Sequence, residues 1–205
     1  MPKKEIMKNI WFISTILPIL YLVGCAAMLV PETSNPIEKI SWAYELFDNQ
    51  GRPLPAERLI REAIEICEKD NDASCLGKAY VAYGFFFRSP SVEKHEKFYR
   101  EHGFLDKKAT YDTRLTRSKE MFERGISYYL KTNEYGALTN AYLNLGFAYY
   151  FLNDNDGECL PYAKSLEYNQ KNIEVNPNAK VSLPAGVSSF TEYVTIQQKR
   201  AGCKQ

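Results

Sequence analysis

The chain has 205 residues, 45% of them hydrophobic and 25% charged, which is enough to bury one core of ordinary size. Its 26 basic and 25 acidic residues leave a net charge of +1 without a long run of one sign, which argues against a nucleic-acid-binding protein. Fifteen tyrosines and eleven phenylalanines predict a core or groove built from aromatic rings.

Residues 1–24 have the composition of an export signal. Three lysines among the first eight residues precede an apolar stretch from Ile10 to Val23. This stretch is shorter than the roughly 20 apolar residues that span a bilayer comfortably, and Pro18 weakens it as a permanent helix. A charged start, a short apolar run and small residues at its end are typical of a secretory signal peptide.

The signal ends in LVGC, residues 22 to 25, which resembles the lipobox of bacterial lipoproteins. The resemblance implies that Cys25 is acylated, becomes the new N-terminus and carries three acyl chains, which hold a protein stably where one chain holds it only marginally. Since Ala26 is not the aspartate that favours inner-membrane retention in that family, the resemblance implies an outer-membrane anchor and a domain facing the periplasm. An ordinary signal peptide with a chance cysteine is the alternative.

Residues 25–36 are interpreted as the lipidated N-terminus and a tether. The segment AAMLVPETSNP after the cysteine contains two prolines and several polar residues. Its eleven residues reach at most ~36 Å when extended. We therefore expect the helical domain, residues 37–205, to stay close to its membrane.

Four further cysteines predict disulfides in an oxidising compartment, although four cysteines allow three connectivities. Cys67 and Cys75 flank the polar turn EKDNDAS, which is expected to join two antiparallel helices and makes a bridge between them reachable. The remaining pair, Cys159 and Cys203, would then pin the C-terminal tail. Free buried thiols are the alternative.

The apolar spacing from Pro36 onward predicts an all-α fold. Apolar residues recur at intervals of three and four, which places them on one face of a helix. Two such sets are Ala56, Ile60, Ala63 and Ile64, and Phe122, Gly125, Ile126 and Tyr129. No convincing two-residue alternation or hairpin signal competes with this interpretation.

Two aromatic phrases, AYVAYGFFF at 79–87 and AYLNLGFAYYF at 141–151, align on Gly84 and Gly146. A glycine inside a helix costs up to about 1 kcal/mol relative to alanine. Without a side chain, however, it lets a neighbouring helix pack directly onto its turn. We therefore expect a close helix approach at both glycines.

These phrases resemble the first helix of the tetratricopeptide repeat (TPR), a helix–turn–helix unit of about 34 residues. The matching residues are Tyr80, Tyr83, Gly84 and Phe87 in one phrase, and Tyr142, Leu145, Gly146 and Tyr149 in the other. The small–aromatic–small series of the second helix is met well by Ser118, Phe122 and Gly125, loosely by Ala56, Ile60 and Ala63, and poorly by Ser165, Asn169 and Asn172.

The resemblance implies a TPR-like stack of three helical hairpins at about 37–69, 73–131 and 134–176. A capping helix near 187–201 would come after them, and residues 89–110 would be an insertion within the second hairpin. A non-repeating helical bundle in which the glycines are incidental is the alternative.

Catalytic motifs are not found in the sequence. The two histidines, His95 and His102, lie seven residues apart in the insertion, whereas paired helical metal ligands lie three or four apart. Nucleophile-elbow, Walker and dinucleotide-binding patterns are missing, and Asp154-Asn155-Asp156 has the composition of a turn. The sequence therefore predicts no enzyme, no cofactor and no metal site.

A stack of hairpins presents a face lined by its first helices, and this face is the expected binding surface. The candidate contact residues are Lys39, Tyr44, Lys78, Arg88, Asn140, Asn144 and Phe151. Asn144 occupies the position that resembles the asparagine by which TPR first helices often bind a peptide main chain. In the insertion, Phe98, Tyr99, Phe104 and Leu105 are interleaved with basic residues, and the segment could form a contact helix or a lid over the edge of the stack, or could simply be packed.

Two function classes are expected from these features. The first is a periplasmic protein-binding lipoprotein, most specifically an immunity protein that neutralises a toxic effector delivered into the envelope, for example by type VI secretion. The second is a scaffold or pilotin for assembly of an outer-membrane, pilus or cell-wall machine, and an enzyme with an unrecognised site is a distant third. In the first two, the partner is another protein, the membrane is reached through the lipid anchor, and nucleic acid is not bound.

Overall fold

The structure is a computed structural model that describes residues 30, 32–179 and 181–204. The predicted signal peptide, the lipidation site Cys25 and the first part of the tether lie outside the described residues. The described ranges therefore correspond to the end of the tether and the helical domain.

All regular secondary structure in the described part of the chain is helical, without a strand, which confirms the all-α prediction. The helices are α1 (Pro36–Tyr44), α2 (Pro53–Lys69), α3 (Ala73–Phe87), α4 (Pro90–Lys94), α5 (Glu96–His102), α6 (Arg114–Thr132), α7 (Tyr135–Phe151), α8 (Asn155–Val175) and α9 (Phe190–Ala201). A π-helical segment, Glu45–Asn49, continues directly from α1.

The helices pair and stack in chain order. Helix α1 packs on α2, α3 on α6 and α7 on α8, which makes three hairpins. The second helix of each hairpin also packs on the first helix of the next, and α9 packs on α8. The hairpins lie within one or two residues of the predicted limits, and α9 is the predicted C-terminal helix.

Local sequence signals set the helix ends. The side chain of Asn35 accepts hydrogen bonds from the first turn of α1, and that of Asp72 accepts one from the N–H of Cys75 in α3. Such capping satisfies amides that have no partner inside the helix. Asn133 ends α6 in the left-handed conformation, with φ of 54°, a conformation that asparagine tolerates better than most residues.

Gly84 and Gly146 are both buried at close helix contacts, as predicted. A Cβ at Gly84 would lie 2.9 Å from the ring of Phe122, and one at Gly146 would lie 2.3 Å from the ring of Tyr162. Each glycine therefore lets an aromatic ring of the second helix lie against the main chain of the first.

The same contacts correct the alignment of α8 with α6, that is, which residues of the third hairpin correspond to Ser118, Phe122 and Gly125 of the second. Because Tyr162 takes the place that Phe122 has in the second hairpin, the matching series is Glu158, Tyr162 and Ser165. The predicted series, Ser165, Asn169 and Asn172, starts two turns too late. The error arose because Glu158 holds the position where the repeat pattern requires a small residue.

The insertion, predicted at 89–110, connects α3 to α6 and contains α4 and α5. It contributes Val92, Tyr99 and Phe104 to the core, each with at most 2% of its surface exposed. The Phe104 ring centroid lies 5.1 Å from that of Phe87, and the Tyr99 centroid lies 6.4 Å from that of Phe86. The insertion is thus packed onto the second hairpin as an integral layer.

Both predicted disulfides are present. Cys67–Cys75 joins the end of α2 to the start of α3, and Cys159–Cys203 joins α8 to the segment after α9 across 44 residues. Closing a loop stabilises the fold mainly by restricting the unfolded chain, and the effect grows with loop length. The second bridge therefore fastens α9 to the third hairpin.

Candidate protein-binding surface

Arg88, which directly follows α3, is hydrogen-bonded to Asn144 in the middle of α7. Its Nη1 donates to the main-chain oxygen of Asn144 at 3.2 Å, and its Nη2 donates to the side-chain Oδ1. The planar guanidinium, with its parallel N–H groups, suits such a pair of hydrogen bonds to one residue. The pair links the first helices of the second and third hairpins.

Asn144 is held from its other side by Asn140, one turn earlier on α7. The amide Nδ2 of Asn144 donates to the main-chain oxygen and to Oδ1 of Asn140, each at 2.8 Å. Asn144 is only 8% exposed, whereas Asn140 is exposed. The two asparagines and Arg88, all predicted as contact residues, therefore form one hydrogen-bonded cluster.

Aromatic rings surround the Arg88 guanidinium. It lies 4.7 Å from the ring centroid of Phe85, 5.0 Å from that of Phe122 and 5.8 Å from that of Phe151. A cation over a ring face is attracted by the ring's electron density. Burial lowers the pKa of Arg88 to about 10, so the side chain is still charged at neutral pH.

No described carboxylate is paired with Arg88, which takes part in none of the ion pairs found in this part of the chain. Asp48 lies in the π-helical segment that continues α1. Partial burial raises the pKa of its carboxyl group, and the positive charge of Arg88 partly opposes this shift. Tyr44 packs edge-on against Phe85, with the ring centroids 5.9 Å apart.

These residues define a surface, which we call the first-helix face. It consists of Tyr44 and Asp48 from the first hairpin, Phe85 and Arg88 from the second, and Asn140, Asn144 and Phe151 from the third. The face combines a cation, a carboxyl group at its edge (Asp48), neutral amides and aromatic rings.

The remaining predicted contact residues lie elsewhere or are engaged. Lys78 is exposed on α3, and Lys39 is paired with Glu62 at 2.6 Å. Phe98 is half-buried with its ring 4.7 Å from that of His102. Tyr99 is 2% exposed and stacks on Phe104 with centroids 4.2 Å apart, so its ring belongs to the core and not to a contact surface.

Sequence reasoning missed the buried carboxylate of Glu57 on α2, which is 2% exposed. Its Oε1 accepts hydrogen bonds from the Tyr83 hydroxyl at 2.8 Å and from the N–H groups of Leu105 and Asp106 at 2.8 and 3.3 Å. Burial raises the pKa of Glu57 to about 7. The position could have been noticed, because Glu57 shares a helix face with Ile60 and Ile64.

Glu57 lies beside a pocket of about 330 Å³ between α2 and the insertion. Leu54, Phe98 and Phe104 supply apolar walls, and His102 is also among the lining residues. The carboxyl of Glu57 holds residues 105 and 106 against α2, so it fastens the end of the insertion to the first hairpin.

A second missed carboxylate, Glu158 on α8, is fully buried. Its Oε2 accepts hydrogen bonds from the Tyr162 hydroxyl at 2.9 Å and from Arg200 Nη2 at 2.7 Å. The Arg200 guanidinium lies 3.9 Å from the ring centroid of Tyr150. This ion pair couples α9 to the third hairpin close to the Cys159–Cys203 bridge.

Two absences apply to the described residues. They contain no cluster of three or more histidine, cysteine, aspartate or glutamate side chains arranged to hold a metal ion. Within the same ranges, none of the helices combines the length and apolar character that crossing a bilayer requires.

The fold and the first-helix face define the class of this protein: an all-helical domain of successively packed hairpins whose opening helices share one polar and aromatic surface. No family model, curated protein or solved structure matches the chain. The resemblance to the TPR is carried by the chain's own residues and remains a prediction.

Proposed function

We propose that the chain is a membrane-tethered protein-binding module of the bacterial envelope, and most specifically an immunity protein that neutralises a toxic effector delivered there. The observation that carries the proposal is Arg88. It is a cation held in place by Asn144 and three aromatic rings. No described carboxylate forms an ion pair with it, although Asp48 is near enough for the two charges to interact.

The chemistry of the first-helix face favours a protein partner that contributes an acidic side chain. A guanidinium has five N–H donors, and Arg88 uses only two of its nitrogens on Asn144. A carboxylate of the partner would form a charge-assisted hydrogen bond with the remaining donors. Because Asn144 and the rings already fix the Arg88 side chain, binding a partner would cost little additional side-chain entropy. Arginine and aromatic residues are frequent anchors of protein interfaces.

The construction of the domain favours inhibition by occlusion. The Cys67–Cys75 bridge joins the first two hairpins, and the Cys159–Cys203 bridge and the Glu158–Arg200 pair fasten α9 to the third, which suits a surface that must keep its shape. The lipobox-like sequence at Cys25 would keep the inhibitor at the membrane, where an incoming effector acts. A scaffold or pilotin would use the same face for an assembly component, and identifying the captured partner separates the two roles.

The test captures partners from an envelope extract with the tagged full chain, in the wild-type form and as Arg88→Gln and Arg58→Gln. Arg58 is a matched control because it is an exposed arginine paired with Glu62 on α2. We expect one stoichiometric protein to bind the wild type and the control and to be lost with Arg88→Gln. Thermal unfolding followed by circular dichroism shows whether each variant is folded at the assay temperature.

The captured protein is then exported to the periplasm of cells with and without this chain. Growth arrest that the chain relieves would support the immunity role, whereas a harmless partner would favour the assembly role. If all three forms bind the same protein equally, or none binds any, the first-helix face is not the binding surface.

A further inference from the structure

A second pocket, of about 370 Å³, lies between α7, α8, α9 and the segment that precedes α9. Its volume is within the usual range of small-ligand sites, roughly 300–1,000 Å³. The side chains of Asn140, Asn169 and Asn172 line it together with Ser182, Phe190 and Tyr193. Among the described residues that line this pocket, none is charged.

Asn169 is the most informative of these residues. It is only 6% exposed and lines the pocket, yet its side-chain amide makes no hydrogen bond with any described residue. Asn169 can therefore offer a ligand in the pocket both a donor and an acceptor.

The other two asparagines add donors. Oδ1 of Asn140 accepts a bond from Asn144, and Oδ1 of Asn172 accepts one from Asn176 at 3.3 Å. Each of these bonds leaves the Nδ2 group without a partner among the described residues. Each of these oxygens has a second lone pair, so all three amides can both donate to and accept from a ligand, and the pocket suits a ligand whose groups also do both.

From this arrangement we propose that the pocket binds a neutral carbohydrate of one or two rings. Sugar hydroxyls both donate and accept hydrogen bonds, as the side-chain amides do. The described lining is uncharged and gives no compensation for desolvating an ionised ligand. The half-buried ring of Tyr193 provides an apolar face for the C–H groups of a sugar ring. An extended peptide main chain lacks the flat C–H face that a sugar ring places against an aromatic ring.

The proposal is tested with the full chain by saturation-transfer NMR and by calorimetric titration. The probes are maltose, cellobiose and N,N′-diacetylchitobiose, with glucuronic acid and glucosamine as charged counterparts and capped tetra-alanine as a peptide. We expect at least one neutral disaccharide to bind with a dissociation constant on the order of 1 mM, and the charged sugars to bind more weakly.

Two variants locate the site. Asn169→Leu keeps the branched arrangement of side-chain heavy atoms and removes the amide, and Tyr193→Ala removes the ring. Each should weaken binding roughly tenfold, in line with the loss of one or two directed contacts. Gln170→Ala, at the exposed neighbour of Asn169, should bind as the wild type does, and melting curves would show that all variants are folded.

Three results would overturn the proposal: no transfer from any neutral disaccharide at about 10 mM, binding that neither variant weakens, or binding of the capped peptide alone. Neither variant touches Arg88, Asn140 or Asn144, so the outcome is independent of partner capture by the first-helix face.

Discussion

Arg88 and Asn144 are 56 positions apart, yet the guanidinium of the first donates to both the main-chain and the side-chain oxygen of the second. The contact ties the opening helices of two hairpins together and places a cation on the surface that they share. Its energetic effect can be separated from that of the neighbouring rings by substitution.

A double-mutant cycle on this pair should show direct coupling. We expect Arg88→Gln and Asn144→Ala to lower the free energy of unfolding by less in combination than the sum of the single changes, with a coupling of about 1 kcal/mol. Urea unfolding of the four proteins measures it. Additive effects would mean that Arg88 is held by the rings and not by Asn144.

Gly146→Ala should destabilise the domain by about 1–3 kcal/mol, because a methyl group would overlap the buried Tyr162 ring. Glycine-to-alanine changes in an open helix position instead stabilise by a few tenths to 1 kcal/mol. Chemical unfolding gives the sign directly. The matched surface change is Ser127→Ala on α6, which should alter stability by less than about 0.5 kcal/mol. A stabilised Gly146→Ala would mean that the two helices are further apart than described.

Glu57 should make stability depend on pH. Its folded-state pKa is raised to about 7 by burial, so the folded protein binds this proton more tightly than the unfolded chain does. The stabilising contribution of the proton is complete below about pH 4.5 and is lost as pH rises through about 7. Relative to Glu57→Gln, the wild type should therefore lose about 2–3 kcal/mol of unfolding free energy between pH 4.5 and pH 8.

The comparison requires unfolding curves of both proteins at several pH values across this range. Glutamine keeps the Oε1 acceptor for Tyr83, Leu105 and Asp106 but does not titrate, so the difference isolates the carboxyl. A constant difference between the two proteins would show that Glu57 does not titrate in this range.

The two disulfides should differ in their contributions. The loop-closure relation assigns about 4 kcal/mol to the bridge that spans 44 residues and about 2.5 kcal/mol to the one that spans 8. We expect the Cys159→Ala, Cys203→Ala double variant to unfold at lower urea than the Cys67→Ala, Cys75→Ala one. The reverse order would mean that native packing around Cys67, which is fully buried, contributes more to stability than the length of the closed loop does.

Cys25→Ser tests the anchor. The lipobox-like sequence predicts that the wild type incorporates labelled fatty acid and sediments with the outer-membrane fraction, and that the variant does neither. Metabolic labelling followed by membrane fractionation provides the measurement. Labelled fatty acid on the variant would exclude acylation at this cysteine as the anchor.

Part of the fold could be predicted because its signals are local. The three- and four-residue apolar spacing and the polar turn after Cys67 report on one helix or on two consecutive helices. Gly146 likewise contacts the next helix, α8, whereas Gly84 contacts α6, which comes after the insertion. Tyr99 shows the limit of such reasoning. Its place among basic residues was compatible with a contact helix, a lid or simple packing, and the structure decides for packing, since the ring stacks on Phe104, five residues later.

The candidate site depended on less local relationships. Asn144 was expected to contact a partner from its position in one helix, and the sequence could not indicate that Arg88 already holds its oxygen atoms. The pairs Glu57–Leu105 and Glu158–Arg200 were also missed, since each joins residues more than 40 positions apart.

The sequence by itself determined the helices and their grouping into hairpins, because periodicity and turn residues act between near neighbours in the chain. For the four cysteines it favoured one of three possible connectivities, and the tertiary structure decided for that one. Only the tertiary structure decided which polar groups meet between hairpins, which rings are covered and where pockets form. These features depend on how the hairpins pack, and a small shift in that packing decides whether a buried charge or amide finds a partner.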